Sequence, residues 1–313
     1  MSADANREGF RLLRHEPALF AMELLWRWSF GLGLLALCFF AYARLRQAVL
    51  LSDADQLALA GQDPFAVAEA AKNILAEAMP LLLRTFVQIF SVASILWIAC
   101  AALGRGIITR LMVRRLAADY SVTIASDAPR WTTFAILMFA RVLMLLILVI
   151  GYLGGVIVAG MVSSPKQNPV VSGLIVFASL SLAVVIWSYV NWVLSLAPIF
   201  VVRDALSPVD SVVAAIAFIR RNSPRLTAIS LWNGTARGVI ATLISIAGVS
   251  TAALHFALPS WAISALLVLE TLVYFVVSDV FLVGRLAAYS SVAARELAFS
   301  PGLSADHSGI IAR

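Results

Sequence analysis

Arg141, Arg237, Glu270 and Asp279 stand inside long apolar runs of this 313-residue chain. An ionisable side chain in hydrocarbon is costly, so it is expected to be paired or to work. Opposite charges at one depth close interhelical ion pairs. The same residues around a water-filled path would carry an ion or a charged solute. Depth decides which of the four meet. At 1.5 Å per residue, Arg141 is about 15 Å into its run. Glu270 is about as deep after Pro259, entering from the other side. The first expected pair is therefore Arg141 with Glu270, near the midplane. The second is Arg237 with Asp279, each about 20 residues from the turn at Pro259 and so near the opposite interface. A run ending instead near Ser250 would lift Arg237 to the level of Glu270.

No other chemistry is legible. His15, His255 and His307 fall at different expected depths and do not suit one metal or haem. Neither a His-Glu-x-x-His nor a Gly-x-Ser-x-Gly pattern occurs. Cys38 and Cys100 lie within apolar runs and read as small buried hydrophobes. Neither a catalytic residue nor a cofactor or metal site is expected. Gly151/Gly155 and Gly234/Gly238 have the four-residue spacing that lets helices approach closely. Asn191 and Asn233 are expected to hydrogen-bond between helices.

Composition says what must position these residues. Hydrophobic residues make up 62% of the chain and charged ones 13%, against roughly half and a quarter in soluble domains. So apolar a chain belongs in a membrane. Its net charge of +6 does not point to nucleic acid, because the arginines cluster at the ends of apolar runs. Lys72 and Lys166 are the only lysines among 23 basic residues, a skew common in GC-rich bacterial genomes. The N-terminal 28 residues lack the short apolar core and small-residue site of a cleavable signal peptide.

The fold class expected is all-α: a polytopic bundle of six spans with short interfacial amphipathic helices. Spans are expected near 25–43, 81–103, 132–161, 171–201, 227–256 and 260–284. An amphipathic cytoplasmic segment, 1–24, precedes them, and a flexible tail, 300–313, follows. The third to fifth runs exceed the roughly 20 residues that cross a bilayer, so part of each must tilt, bend or leave it. Fifteen Lys and Arg residues flank the spans on the side of the termini, and four (Arg44, Arg46, Lys72, Lys166) on the other. Both termini are therefore expected in the cytoplasm of a bacterial inner-membrane protein.

Two further helices are expected at the surface. Asp63 before Pro64 marks a helix start, with Pro80 as its stop or a kink, giving an extracytoplasmic helix near 64–79. Near 208–221, Ser207 caps a helix whose first turn holds Pro208 and Asp210, and whose last turn holds Arg220 and Arg221. Pro224 is the expected stop. Val209, Val212, Val213, Ile216 and Ile219 form an apolar stripe. Such a helix lies in the cytoplasmic interface or packs under its own bundle. It forms an elbow between the fourth and fifth spans.

The run "LAPIFVVRDALSPVDSVVAAIAFIRRNSPRLTAISLW" resembles one in bacterial six-span membrane proteins, among them the membrane-anchoring domain of glycerophosphoryl diester phosphodiesterases. Pro198, Asp204, Ala214 and Arg221 follow that order, with Arg203-Asp204 where a single acidic residue is usual. The likeness covers about 40 residues, and the six-span layout extends it. It implies a bundle, not catalysis, since no soluble phosphodiesterase domain accompanies it. Asp204-Ala205 also looks like the start of the coupling helix in permease subunits of ATP-driven transporters, but Asp210 stands where that pattern has glycine.

The function expected is that of a non-enzymatic structural or assembly component in the inner membrane. Its expected partners are membrane lipids together with proteins or further copies of itself, and no nucleic acid. The alternative is a transporter or permease subunit that uses the midplane charges.

Overall fold

The computed structural model describes residues 2–48, 57–58, 60–61, 63–120, 130–162, 169–256 and 258–299. The expected tail, 300–313, with His307, lies outside the described residues, as does Lys166. The protein is an all-α membrane bundle. The described residues form seven α-helices: α1 (Ser2–His15), α2 (Pro17–Ala48), α3 (Pro64–Tyr120), α4 (Trp131–Val162), α5 (Pro169–Arg203), α6 (Pro208–Ala253) and α7 (Ser260–Phe299). A 3-10 turn, Leu254–Phe256, follows α6. All but α1 are long and apolar enough to cross a membrane.

The chain divides into two compact units. One is Trp26–Cys100; the other joins the stretch up to Leu25 with the chain from Ala101 onward. In the smaller unit, Trp97 of α3 holds α2. Its ring centroid lies 5.5 Å from that of Trp26 and 5.0 Å from that of Phe30. Gly33 lets α2 come close, since a Cβ there would stand 3.1 Å from Leu96.

In the larger unit, α4 lies along α5, α5 against α6, and α6 against α7, while α1 packs on α7 and α6. The buried side chains gather at one end of these helices. They recur every three or four residues: Ile108, Met112 and Leu116 on α3; Phe134, Leu137 and Met138 on α4; Leu196, Ala197 and Phe200 on α5. The set continues with Ala215, Phe218, Leu226 and Ile229 on α6, and Val283, Ala287 and Tyr289 on α7. That spacing puts one apolar stripe per helix toward a common core. Beyond this packed end the pattern changes. Ile150, Leu153, Phe177, Val185, Leu243, Val249, Val268 and Phe275 are all exposed. Large side chains open on several faces of four helices require hydrocarbon around them, and they form the apolar belt.

Neither Pro80 nor Pro224 ends its helix. Pro80, expected as a stop or a kink, lies inside α3, which runs on for 57 residues from Pro64. Asp63 does start that helix, since its Oδ1 accepts from the N–H of Phe65 at 2.9 Å. Pro224 lies inside α6, and the break falls two residues earlier, at Asn222 (φ −112°, ψ 16°). A proline removes one backbone donor and crowds the preceding turn, which bends a helix without ending it when flanking packing holds both halves.

The expected amphipathic segment before Leu25 is divided between two helices. α1 ends at His15 and α2 begins at Pro17. Glu23, in the second turn of α2, is fully buried and pairs with Arg105 at 3.0 Å.

Candidate functional site: a charged layer beneath the apolar belt

Arg141, Asn191, Arg237 and Asp279 mark where the packed end gives way to the belt. From each of them to the far end of its helix there are 16 to 22 residues, roughly 24 to 33 Å, close to the thickness of a hydrocarbon core. The long runs are thus membrane spans extended by several turns of a packed helical assembly. This places Arg141 at the edge of the belt rather than at its midplane.

Arg141 is held by α5. Its Nη2 donates to Oδ1 of Asn191, to the carbonyl of Asn191 at 3.3 Å, and to Oγ of Ser195 at 2.9 Å. Ser195 in turn donates to the Asn191 carbonyl at 2.6 Å. Glu270 lies elsewhere, half-buried against α6. Its Oε1 accepts from Thr251 Oγ1 at 2.6 Å, and its Oε2 lies beside Gly248, 3.3 Å from where a Cβ would stand. The expected Arg141–Glu270 pair does not form, because α4 packs along α5 while α7 packs along α6. Each charge is met by polar groups of its own neighbour.

Arg237 has a charged neighbour on α7 besides the expected Asp279. Asp279 is buried on α7. Arg285 of the same helix neighbours Arg237. Six residues separate Asp279 from Arg285, so they project about 120° apart. Tyr289, fully buried one turn beyond Arg285, shares a 2.7 Å hydrogen bond with Ser230 of α6.

The elbow helix has the expected start. Ser207 Oγ accepts from the N–H of Asp210 at 3.2 Å and donates to Asp210 Oδ2 at 2.6 Å. The preceding link is braced: Arg203 grips Asp204 through two hydrogen bonds of 2.8 and 2.6 Å. Its guanidinium also stacks 4.6 Å above the Phe200 ring. Ala205 sits at φ 54°, a left-handed conformation, and its carbonyl accepts from Arg130. At the other end Arg220 is exposed, and Arg221 pairs with Glu296 at 3.0 Å. The expected apolar stripe packs only in part. Its Ile219 is buried together with Ser211, Ala215 and Phe218, whereas its Val209 and Val213 are 71% and 59% exposed.

Sequence reasoning missed the clamp that α1 makes. Tyr120 donates to Glu8 Oε1 at 2.5 Å and accepts from Arg295 Nε at 2.8 Å, while Arg295 Nη2 meets Glu8 Oε2 at 2.8 Å. Asn233, expected to bond between helices, does so: its Nδ2 donates to Asn6 Oδ1 at 3.1 Å. These contacts join residues more than 100 positions apart, and no local spacing announces them. Of the glycine pairs, only Gly155 marks a close approach, with a Cβ there falling 2.3 Å from Ser179 Oγ. Gly151, Gly234 and Gly238 have open space.

A family model described as Domain of unknown function (DUF7847) matches residues 3–292. No curated protein and no solved structure matches the chain.

Proposed function

The chain belongs to the DUF7847 family, and from the geometry above we propose that it is a non-enzymatic assembly component of the bacterial inner membrane, with both termini cytoplasmic. Its six spans anchor a packed helical platform on the cytoplasmic side, where it holds lipids and a partner protein or a second copy. The likeness of residues 196–232 to the six-span phosphodiesterase anchoring domain fits this role and belongs to the same proposal.

The observation that carries this reading is the elbow helix. One face is sealed against the platform by Ala215, Phe218 and Ile219, while Val209 and Val213 stay open on another. An apolar face left open beside the belt suits the membrane surface or a partner lying on it. The transporter alternative drew on Arg141 and Glu270 as midplane charges and on the long broken runs; hydrogen bonds from Arg141 to Asn191 and Ser195, and from Thr251 to Glu270, favour a structural role for both charges instead.

Purification of the full-length protein in mild detergent, with identification of co-purifying proteins and lipids, tests the reading. A stoichiometric protein partner or a stable oligomer is expected. A bare monomer in which Val209→Asp with Val213→Asp changes neither lipid content nor association would overturn it. Orientation has its own check. In a cysteine-free background, Arg220→Cys should react with an impermeant thiol reagent only from the cytoplasmic side.

A further inference from the structure

Arg237 and Arg285 concentrate positive charge where the packed end meets the belt. The Nε of each is buried and reaches no acceptor among the described residues. The two side chains are electrostatic neighbours. A buried N–H lacking an acceptor is costly, and two like charges side by side repel as well. The groups around them are two hydroxyls and an indole N–H, none of them anionic. Tyr289 neighbours Arg285 and shares its hydroxyl with Ser230. The buried Trp192 Nε1 lies near that hydroxyl without closing a hydrogen bond. Asp279 is about 9 Å along α7 from Arg285 and projects about 120° away.

We propose that Arg237 and Arg285 bind a phosphate oxyanion at this level, as presented by the headgroup of an anionic lipid. A phosphate offers several acceptor oxygens, and planar guanidinium forks match them in pairs. One oxyanion answers both arginines and cancels their repulsion. The membrane supplies the rest of the ligand. An open groove of about 470 Å³ begins one turn beyond Arg237, at Ala241, and is lined further along α6 by Thr242, Ser245, Ile246, Val249 and Ser250. Its near side follows the row 241, 245, 249, which climbs from Arg237 into the belt. Small side chains at 241 and 245 leave room there for an acyl chain. This inference rests on the lipid-holding part of the function proposed above and gives it a site.

The test uses the full-length protein in mild detergent, as wild type and as Arg237→Gln/Arg285→Gln, with exposed Arg220→Gln as the control for lost surface charge. Each is exposed to an equal mixture of phosphatidylglycerol and phosphatidylcholine, and retained lipid is read by native mass spectrometry. Thermal unfolding is read with and without lipid, and with millimolar inorganic phosphate against sodium chloride of equal ionic strength. Wild type and Arg220→Gln should retain phosphatidylglycerol preferentially, and the double variant at least tenfold less.

The double variant should also unfold at a higher temperature than wild type when no anion is present, because two repelling charges are gone. A purely structural role for the arginines would lower it instead. Stabilisation by phosphatidylglycerol but not by inorganic phosphate assigns the oxyanion to lipid, and Ser245→Trp in the groove should then weaken retention. Stabilisation of wild type alone by inorganic phosphate assigns the same arginines to a soluble anion. Equal lipid retention by wild type and double variant, with no specific phosphate effect, overturns the site. If a protein partner still co-purifies with both, the assembly reading survives that result.

Discussion

Gly9 of α1 and Gly284 of α7 are pressed together where the N-terminal helix docks. A Cβ at Gly9 would lie 2.7 Å from the Gly284 carbonyl oxygen and 2.9 Å from the Ala288 nitrogen, and one at Gly284 would lie 3.1 Å from the Phe10 ring. Phe10 also meets Phe281 edge-on at 5.7 Å. Two backbones at that distance leave no side chain to move aside.

Gly9→Ala should therefore weaken the docking of α1. Alanine favours a helix over glycine by about 1 kcal/mol, but overpacking against backbone costs about 1–3 kcal/mol, so the net change is a loss. Thermal unfolding should shift down, and limited proteolysis should release the N-terminal segment sooner. Gly234→Ala, with nothing within 4 Å of its new Cβ, should leave both unchanged or slightly improved.

Arg141 should couple to Asn191 and not to Glu270. A double-mutant cycle of Arg141→Ala with Asn191→Ala should show an interaction of about 0.5–3 kcal/mol. The cycle of Arg141→Ala with Glu270→Ala should be additive within about 0.5 kcal/mol. Unfolding of the purified protein measures both, and strong coupling to Glu270 would contradict the helix order described above.

The α1 clamp should respond to salt only modestly. Arg295 is 37% exposed in its pair with Glu8, so screening limits that pair to about 1 kcal/mol or less. Tyr120→Phe removes the hydroxyl that bridges both residues and should cost a further ~1 kcal/mol. The expected readout is faster hydrogen exchange along α1 with little change in the buried centres of α5 and α7.

The elbow should be sensitive at its first turn. Ser207→Ala removes the cap and should cost about 1 kcal/mol. Ala205→Gly should act in the opposite direction. It relieves a left-handed conformation costing roughly 1–2 kcal/mol, and it loses about 0.4–1 kcal/mol through added freedom in the unfolded chain. A stability gain from Ser207→Ala would sink the capping assignment.

The sequence by itself determined the class of fold and the capped start of the elbow. Those rest on local quantities: apolar runs long enough to cross hydrocarbon, and the Ser207-Pro208-x-Asp210 order that satisfies a helix N-terminus whatever lies around it. It also located charged residues inside the apolar runs, Arg141, Arg237, Glu270 and Asp279. It did not determine their partners, because depth along a run fixes only one coordinate. Which residue faces which depends on helix order and on rotation about each axis. Tertiary packing set α4 on α5 and α7 on α6, so Arg141 found Asn191, and it brought Arg285 into the neighbourhood of Arg237. It also decided that the long runs end in a packed assembly outside the belt, since an apolar stripe destined for protein and one destined for lipid are written in the same residues.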